Sequence, residues 1–284
     1  MELLKNIQLI GAEGRPFLLD VYFDNQQTNQ PVIIFSHGFK GFKDWGHWSQ
    51  IAASFVEAGY VFLAFNFSHN GTTTASPLDF EDLEAFGHNN FSKELLDLNV
   101  VLDWLFSDEC DIPSDTYDLN RIGLIGHSRG GALSIIKAGN DDRVKALSTW
   151  ASVNTLDYAW GAEGFLDQWK EDGVYYVLNG RTGQQMPLYY QMYEDFVAHQ
   201  PAFDTREVLK KFDKPYLIVH GTEDPGVDFQ SAKDLHGWAK NSRLAPIEGA
   251  DHVFNGRHPF TDTDLPENTR KLVEVTVGFF DEEL

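Results

Sequence analysis

Arg121-Ile122-Gly123-Leu124-Ile125-Gly126-His127-Ser128-Arg129-Gly130-Gly131 is the stretch on which the reading of this chain turns. Its first half is a short apolar strand. Gly126 to Gly130 then fits the pattern G-x-S-x-G, and an Ala/Leu/Ile-rich helix follows. The flanking glycines let the backbone bend and keep space open around the serine, while the helix start offers N–H groups and a positive dipole end to a developing oxyanion. Ser128 is therefore expected to be a nucleophile; the plainer alternative is a serine that only caps the helix.

On both sides of this junction, short β-branched or aromatic runs alternate with longer amphipathic ones, the pattern of a mainly parallel sheet covered by helices. Ile7 to Ile10 and Phe17 to Phe23, separated by Gly11-Ala12-Glu13-Gly14, read as an opening antiparallel hairpin. Strands are expected at Val32 to Ser36, Val61 to Phe67, Arg121 to Gly126, Val144 to Trp150, Tyr216 to His220 and Arg243 to Ile247. Helices are expected at Trp45 to Ala58, about Phe91 to Phe106, and Asn268 to Phe280. The expectation is an α/β fold with about eight strands in one domain spanning residues 1–284. The alternation stops from about 153 to 206, a gap much longer than ordinary connections, and this stretch reads as a helical cap inserted into the domain.

A serine hydroxyl is a weak nucleophile near neutral pH, so it needs a base, and the base needs an orienting acid. Asp224 follows the strand Tyr216 to His220, and His252 follows the strand Arg243 to Ile247. Each of the three residues thus stands at the carboxyl end of a strand, where open parallel sheets collect ligands. Glu223, Asp228 and Asp251 compete for the role of acid, with Asp228 the second choice, and His258 is the alternative base. Ser36-His37-Gly38-Phe39 closes another strand and offers the backbone N–H of Phe39 as an oxyanion donor, with the N–H of Arg129 as its partner. His37 reads as a structural residue holding that loop.

Composition narrows the partners. The 284 residues carry 43 acidic and 22 basic side chains, a net charge of −21, which disfavours nucleic acid and anionic membrane surfaces and leaves small molecules. One cysteine, Cys110 in an acidic setting, excludes a disulfide framework and a cysteine-based metal site and reads as a bystander. The histidines lack the spacing of a metal site, and no glycine-rich nucleotide fingerprint is present. No apolar leader or membrane-length stretch is seen, so a cytoplasmic location is the default expectation. Lys40, Lys43 and Arg129 put cations beside the oxyanion loops, either to steer an anionic substrate or as solvated surface charge. Six of the ten tyrosines lie between Tyr158 and Tyr193 with Trp160, Phe165 and Trp169, forming either an aromatic acyl pocket or the cap's own small core.

Through His37-Gly38-Phe39, Gly126-His127-Ser128-Arg129-Gly130, His220-Gly221-Thr222-Glu223-Asp224 and Gly249-Ala250-Asp251-His252, the chain resembles the α/β-hydrolase superfamily over nearly its whole length. His37-Gly38-Phe39-Lys40-Gly41 and Gly249-Ala250-Asp251-His252 are similar to carboxylesterases of the cinnamoyl or feruloyl esterase and dienelactone-hydrolase-like type, although dienelactone hydrolases proper use a cysteine where this chain has Ser128. The resemblance implies an α/β-hydrolase fold and hydrolysis of a small-molecule ester through an acyl-enzyme, with no metal or organic cofactor. Thioesterase or acyltransferase and acyl-peptide-type peptidase are the rival activities, and a catalytically silent binding module is the rival outside enzymes. The oligomeric state is not readable from the sequence.

Overall fold

The structure, a computed structural model, describes all residues from 1 to 284. In chain order its elements are β1 (Glu2–Ile10), β2 (Pro16–Phe23), β3 (Gln30–Ser36), α1 (Trp48–Glu57), β4 (Val61–Phe65), α2 (Leu83–Gly87), α3 (Phe91–Leu105), β5 (Tyr117–His127), α4 (Arg129–Asn140) and β6 (Val144–Trp150). There follow α5 (Phe165–Asp172), β7 (Val174–Leu178), β8 (Gln185–Tyr189), α6 (Gln191–Ala198), α7 (Thr205–Leu209), β9 (Tyr216–Gly221), α8 (Gln230–Trp238), β10 (Ser242–Ile247) and α9 (Glu267–Glu283). One sheet of eight strands runs in the order β1-β2-β4-β3-β5-β6-β9-β10. The β1–β2 and β2–β4 pairs are antiparallel and the rest are parallel.

Alternating side chains explain why the central strands are apolar throughout. Val32 and Ile34 of β3 enter the core under α3, α4 and α8, while Ile33 and Phe35 enter the one under α1 and α9. On α1, Trp48, Ile51, Ala52, Phe55 and Val56 form the buried stripe that the three- and four-residue spacing requires. From β3 the chain moves one way to β4 and then back across to β5, so the order reverses between β3 and β5. Such a switch point opens a crevice beyond the carboxyl ends of the strands. The register sets Ser36 beside Gly126 there.

Several boundaries depart from the expected ones for physical reasons. β1 begins at Glu2, not at Ile7, because a bulge between Leu4 and Ile7, with Asn6 at φ 59°, interrupts the alternation without ending the strand. α1 begins three residues later than Trp45, since Gly46 at φ 57° takes a left-handed turn before it. The stretch 153–206 is not wholly helical: β7 and β8 form an antiparallel hairpin between α5 and α6. No helix is long and apolar enough to cross a membrane.

Candidate active site

Ser128 sits between β5 and α4 at φ 57° and ψ −122°, a strained conformation for a residue with a side chain. Three close approaches hold it. A Cβ on Gly126 would meet the backbone of Gly130, one on Gly130 would meet the carbonyls of Ser36 and His37, and one on Gly131 would meet the Ser152 side chain. Because the first two obstacles are backbone, Gly126→Ala should destabilise the fold by about 3 kcal/mol, at the upper end of ordinary overpacking. Urea denaturation measures this, and a loss below about 1 kcal/mol would mean that the turn is loose.

His252 and Asp224 meet across two loops, with His252 Nδ1 2.8 Å from Asp224 Oδ2. The Asp224 carboxylate is fully buried. Its Oδ1 accepts the N–H groups of Gly226 at 2.7 Å and Val227 at 2.9 Å. Burial alone would raise its pKa, but hydrogen bonds from His220 and His252 and the Val227 amide outweigh it and hold the carboxyl well below the usual range. With Nδ1–H donated to Asp224, the Nε2 lone pair of His252 is left for another proton. Ser128 and His252 line one cavity of about 320 Å³. Among Ser128, His252 and Asp224 the Asp224–His252 hydrogen bond is made but none runs from Ser128 Oγ to His252, a contact that active sites commonly close only around substrate.

The competing acids are occupied elsewhere. Asp228 is exposed and accepts the Gln230 N–H at 2.7 Å, and Asp251 accepts the N–H groups of Val253 and Asn255. Glu223 is exposed. His258 does line the cavity, but its Nδ1 accepts the Gly46 N–H at 2.8 Å. The N–H groups of Phe39 and Arg129 donate to no backbone carbonyl, and Phe39 lines the cavity alongside Ser128. Arg129 is the first residue of α4, where helix N–H groups lack intrahelical acceptors.

Two histidines beyond the sequence-derived set brace the site. His220 Nε2 lies 3.3 Å from Asp224 Oδ2 and 2.9 Å from the Val227 carbonyl, so one N–H is shared between them. His127 Nε2 lies 2.8 Å from the His252 carbonyl, its ring against those of His252 and Trp48. A signal for His220 exists in the sequence, four residues before Asp224 at a strand end; none singles out His127. His37 fixes the loop after β3, its Nδ1 2.9 Å from the Gly38 carbonyl and its Nε2 accepting the Phe67 N–H at 3.4 Å.

Burial pushes His37 and His47 down to about 4 and His127 to about 3, the last also repelled by His252. An unfolded histidine takes its proton near pH 6.5, whereas these stay neutral to about 4, so the unfolded state binds more protons between those values. Stability should therefore fall as pH drops from about 6.5 to about 4. His69, lowered to about 4 by burial, acts in the same sense, while Asp97, raised to about 6 by burial, and Glu94, also raised by burial, have the opposite sign but are two groups against four. His47→Gln should flatten the slope of stability against pH by about one proton, and an unchanged slope in denaturation series would refute this.

The three cations named from the sequence have different fates. Lys43 is buried, 2.7 Å from Asp20 and 2.6 Å from Asp44, so it is neither surface charge nor a steering group. Arg129 is also buried, stacked on the Phe39 ring at 4.0 Å with Glu94 3.7 Å away. Lys40 alone of the three lines the cavity. Asn179 and Arg181, from the turn between β7 and β8, join it there, and the sequence pattern does not point to either. The cap aromatics both pack on one another and line a cavity. Trp160, Trp169, Tyr190 and Tyr193 pack on one another, while Tyr158, Trp160, Phe165 and Tyr175 line a second cavity of about 280 Å³ that shares Phe39 and Lys40 with the first. No cluster of three or more His, Cys, Asp or Glu side chains is arranged to hold a metal ion.

A family model described as "Alpha/beta hydrolase family" matches residues 33–263. Among curated proteins, 2,6-dihydropseudooxynicotine hydrolase of Paenarthrobacter nicotinovorans is 31% identical over 107 residues, which is 37% of this chain and 25% of that protein. The chain thus spans about a quarter of the length of that relative. Among solved structures, Est1E from Butyrivibrio proteoclasticus superposes with a TM-score of 0.69 at 18% identity, covering 99% of both chains. Dienelactone hydrolase from Anabaena variabilis superposes with a TM-score of 0.63 at 14% identity, covering 100% of both.

Proposed function

Since the chain belongs to the α/β-hydrolase family, with hydrolases among its relatives, we propose that it is a serine hydrolase cleaving carboxylic esters of small to medium acyl groups. In this reading Ser128 Oγ attacks the ester carbonyl carbon while His252 Nε2 takes its proton. The carbonyl oxygen, now negative, is held by the N–H groups of Phe39 and Arg129. Asp224 keeps the imidazole in the required tautomer and stabilises its cation. His252 then gives the proton to the departing alkoxide, leaving an acyl-Ser128 ester. Water repeats the sequence, with His252 as base, and releases the acid.

The observation that carries this reading is the convergence of Ser128, His252 and the unpartnered Phe39 amide on one cavity, with the Asp224–His252 hydrogen bond already made. The volumes of about 320 and 280 Å³ support a substrate of modest size, and the aromatic lining of the second supports an aromatic or otherwise apolar acyl group. Ester, thioester and amide cleavage share this machinery, so the test compares 4-nitrophenyl acetate, butyrate, octanoate and cinnamate with butyryl-coenzyme A and an aminoacyl anilide. Ester turnover above the other two classes is expected. Thioester or anilide cleavage with idle esters would replace the reading, and equal rates for acetyl, octanoyl and cinnamoyl esters would remove the aromatic preference.

A further inference from the structure

The cap contributes one side chain to the triad's cavity that neither core packing nor ion pairing explains. Arg181 stands on the β7–β8 turn, its guanidinium 5.7 and 5.8 Å from the ring centres of Phe42 and Phe80. Six of the other arginines of this acidic chain meet a carboxylate: Arg15 with Asp82, Arg121 with Asp118, Arg129 with Glu94, Arg143 with Asp141, Arg243 with Glu282 and Arg257 with Asp262; the remaining two, Arg206 and Arg270, are exposed and lie outside the cavity. Arg181 makes no ion pair although acids outnumber bases almost two to one. The residue is exposed, but the turn that carries it is held in place: the Arg181 backbone N–H donates to Oδ1 of the buried Asn179 at 3.1 Å, and Gln184 Nε2 ties the same turn to the Phe80 carbonyl at 2.8 Å.

Two further donors line the same cavity. Lys40 makes no ion pair; its Nζ lies 3.2 Å from the Leu178 carbonyl and 5.6 Å from the centre of the Phe39 ring. Burial and the charge of Arg129 lower its pKa, and no carboxylate offsets them. His258 Nδ1 accepts the Gly46 N–H, which leaves its Nε2 to carry the proton and donate. Burial and the charge of Arg181 hold the His258 imidazole below its usual pKa, with Asp79 pulling the other way. Two cations without carboxylate partners and a histidine donor beside a reactive serine form a recognition wall for an anion, because charge-assisted hydrogen bonds to a carboxylate are roughly twice as strong as neutral ones.

We propose that the substrate is an ester that also carries a carboxylate, and that Arg181, with Lys40, is the residue that selects it. The proposal rests on the ester-hydrolase reading above and names the substrate class within it. Arg181 acts on binding and takes no part in proton transfer. The site is completed only when the cap hairpin lies over the body of the domain, which gives the insertion a function in specificity.

Two substrate pairs locate the carboxylate. Mono-4-nitrophenyl succinate against 4-nitrophenyl butyrate places it in the acyl half; the butyrate ester of 4-hydroxybenzoate against phenyl butyrate places it in the leaving half. Wild type should prefer the anionic member of one pair by about tenfold or more in kcat/KM, the scale of a hydrogen bond to a charged group. Arg181→Gln should bring that ratio close to one, Arg181→Lys should keep part of it, and Arg181→Glu should reverse it. Arg206→Gln, which removes an equal charge from an exposed position over Trp238, should leave the ratio as in wild type. Ratios near one in wild type for both pairs, or a preference that survives Arg181→Gln, would overturn the proposal while leaving the hydrolase reading intact. Failure of wild type to cleave any ester, anionic or neutral, would overturn the hydrolase reading and this inference with it.

Discussion

Replacing His252 with alanine is expected to lower kcat on 4-nitrophenyl butyrate by about 10⁴- to 10⁶-fold, the range for removing one member of a catalytic unit that acts as a whole. The imidazole is the one group whose Nε2 is free to take a proton while its Nδ1–H is already committed to a buried carboxylate. The loss should not come from unfolding. The side chain is 26% exposed, and the hydrogen bond that His127 makes to this loop is to the backbone carbonyl of residue 252, which alanine keeps; only the ring contact with His127 is lost. Circular dichroism and the urea midpoint would verify that. A drop of less than about tenfold would move the role of base to another group, with His258 first in line because it lines the same cavity.

Asp224→Asn is expected to cost about 10⁴-fold in kcat, while Asp228→Asn should change it by less than about twofold. Donors surround Asp224: the His252 Nδ1–H, the shared His220 N–H, and the amides of Gly226 and Val227. An asparagine would turn an NH₂ toward at least one of them, and the relief most readily available is a flip of His252 to the tautomer that cannot act as base. Because hydrogen bonding holds the Asp224 carboxyl well below the usual range, it stays ionised at any neutral or mildly acidic pH. The sign follows from linkage. Its stabilising contribution is complete above the unfolded value near 4 and is lost only as pH falls through the lower folded value. The deficit of the asparagine variant should therefore hold steady from about pH 6 to 9. Equal losses for Asp224→Asn and Asp228→Asn would contradict the assignment.

Much of the frame and of the candidate site is legible in the sequence because it depends on local rules. Val32 to Phe35 are apolar on both faces since both faces are buried, and Gly126 and Gly130 are glycines because backbone passes where a Cβ would stand. Ser128, Asp224 and His252 are readable from their places after strands, a consequence of how parallel sheets gather loops at one end. What escapes the sequence depends on distant pairing. Nothing near Lys43 says that Asp20, on β2, will draw it inward. Nothing near Lys40 says that it will meet Leu178, 138 residues away, and so face the turn that carries Arg181. The hairpin in the cap is a different case. Val174-Tyr175-Tyr176-Val177-Leu178 followed by Asn179-Gly180 is a strand and turn signal in its own right, hidden by the irregular chain around it. The β1 bulge, by breaking alternation at one point, makes one strand look like half of one.

The measurement that bears most directly on the account is stoichiometric labelling of the wild-type chain with a fluorophosphonate, with the modified residue identified by peptide mass spectrometry and Ser128→Ala carried in parallel. The account predicts one adduct per chain, on Ser128, formed at a rate that tracks ester turnover, with both adduct and turnover absent in Ser128→Ala. An unlabelled wild-type chain, or labelling and turnover that persist in Ser128→Ala, would contradict it.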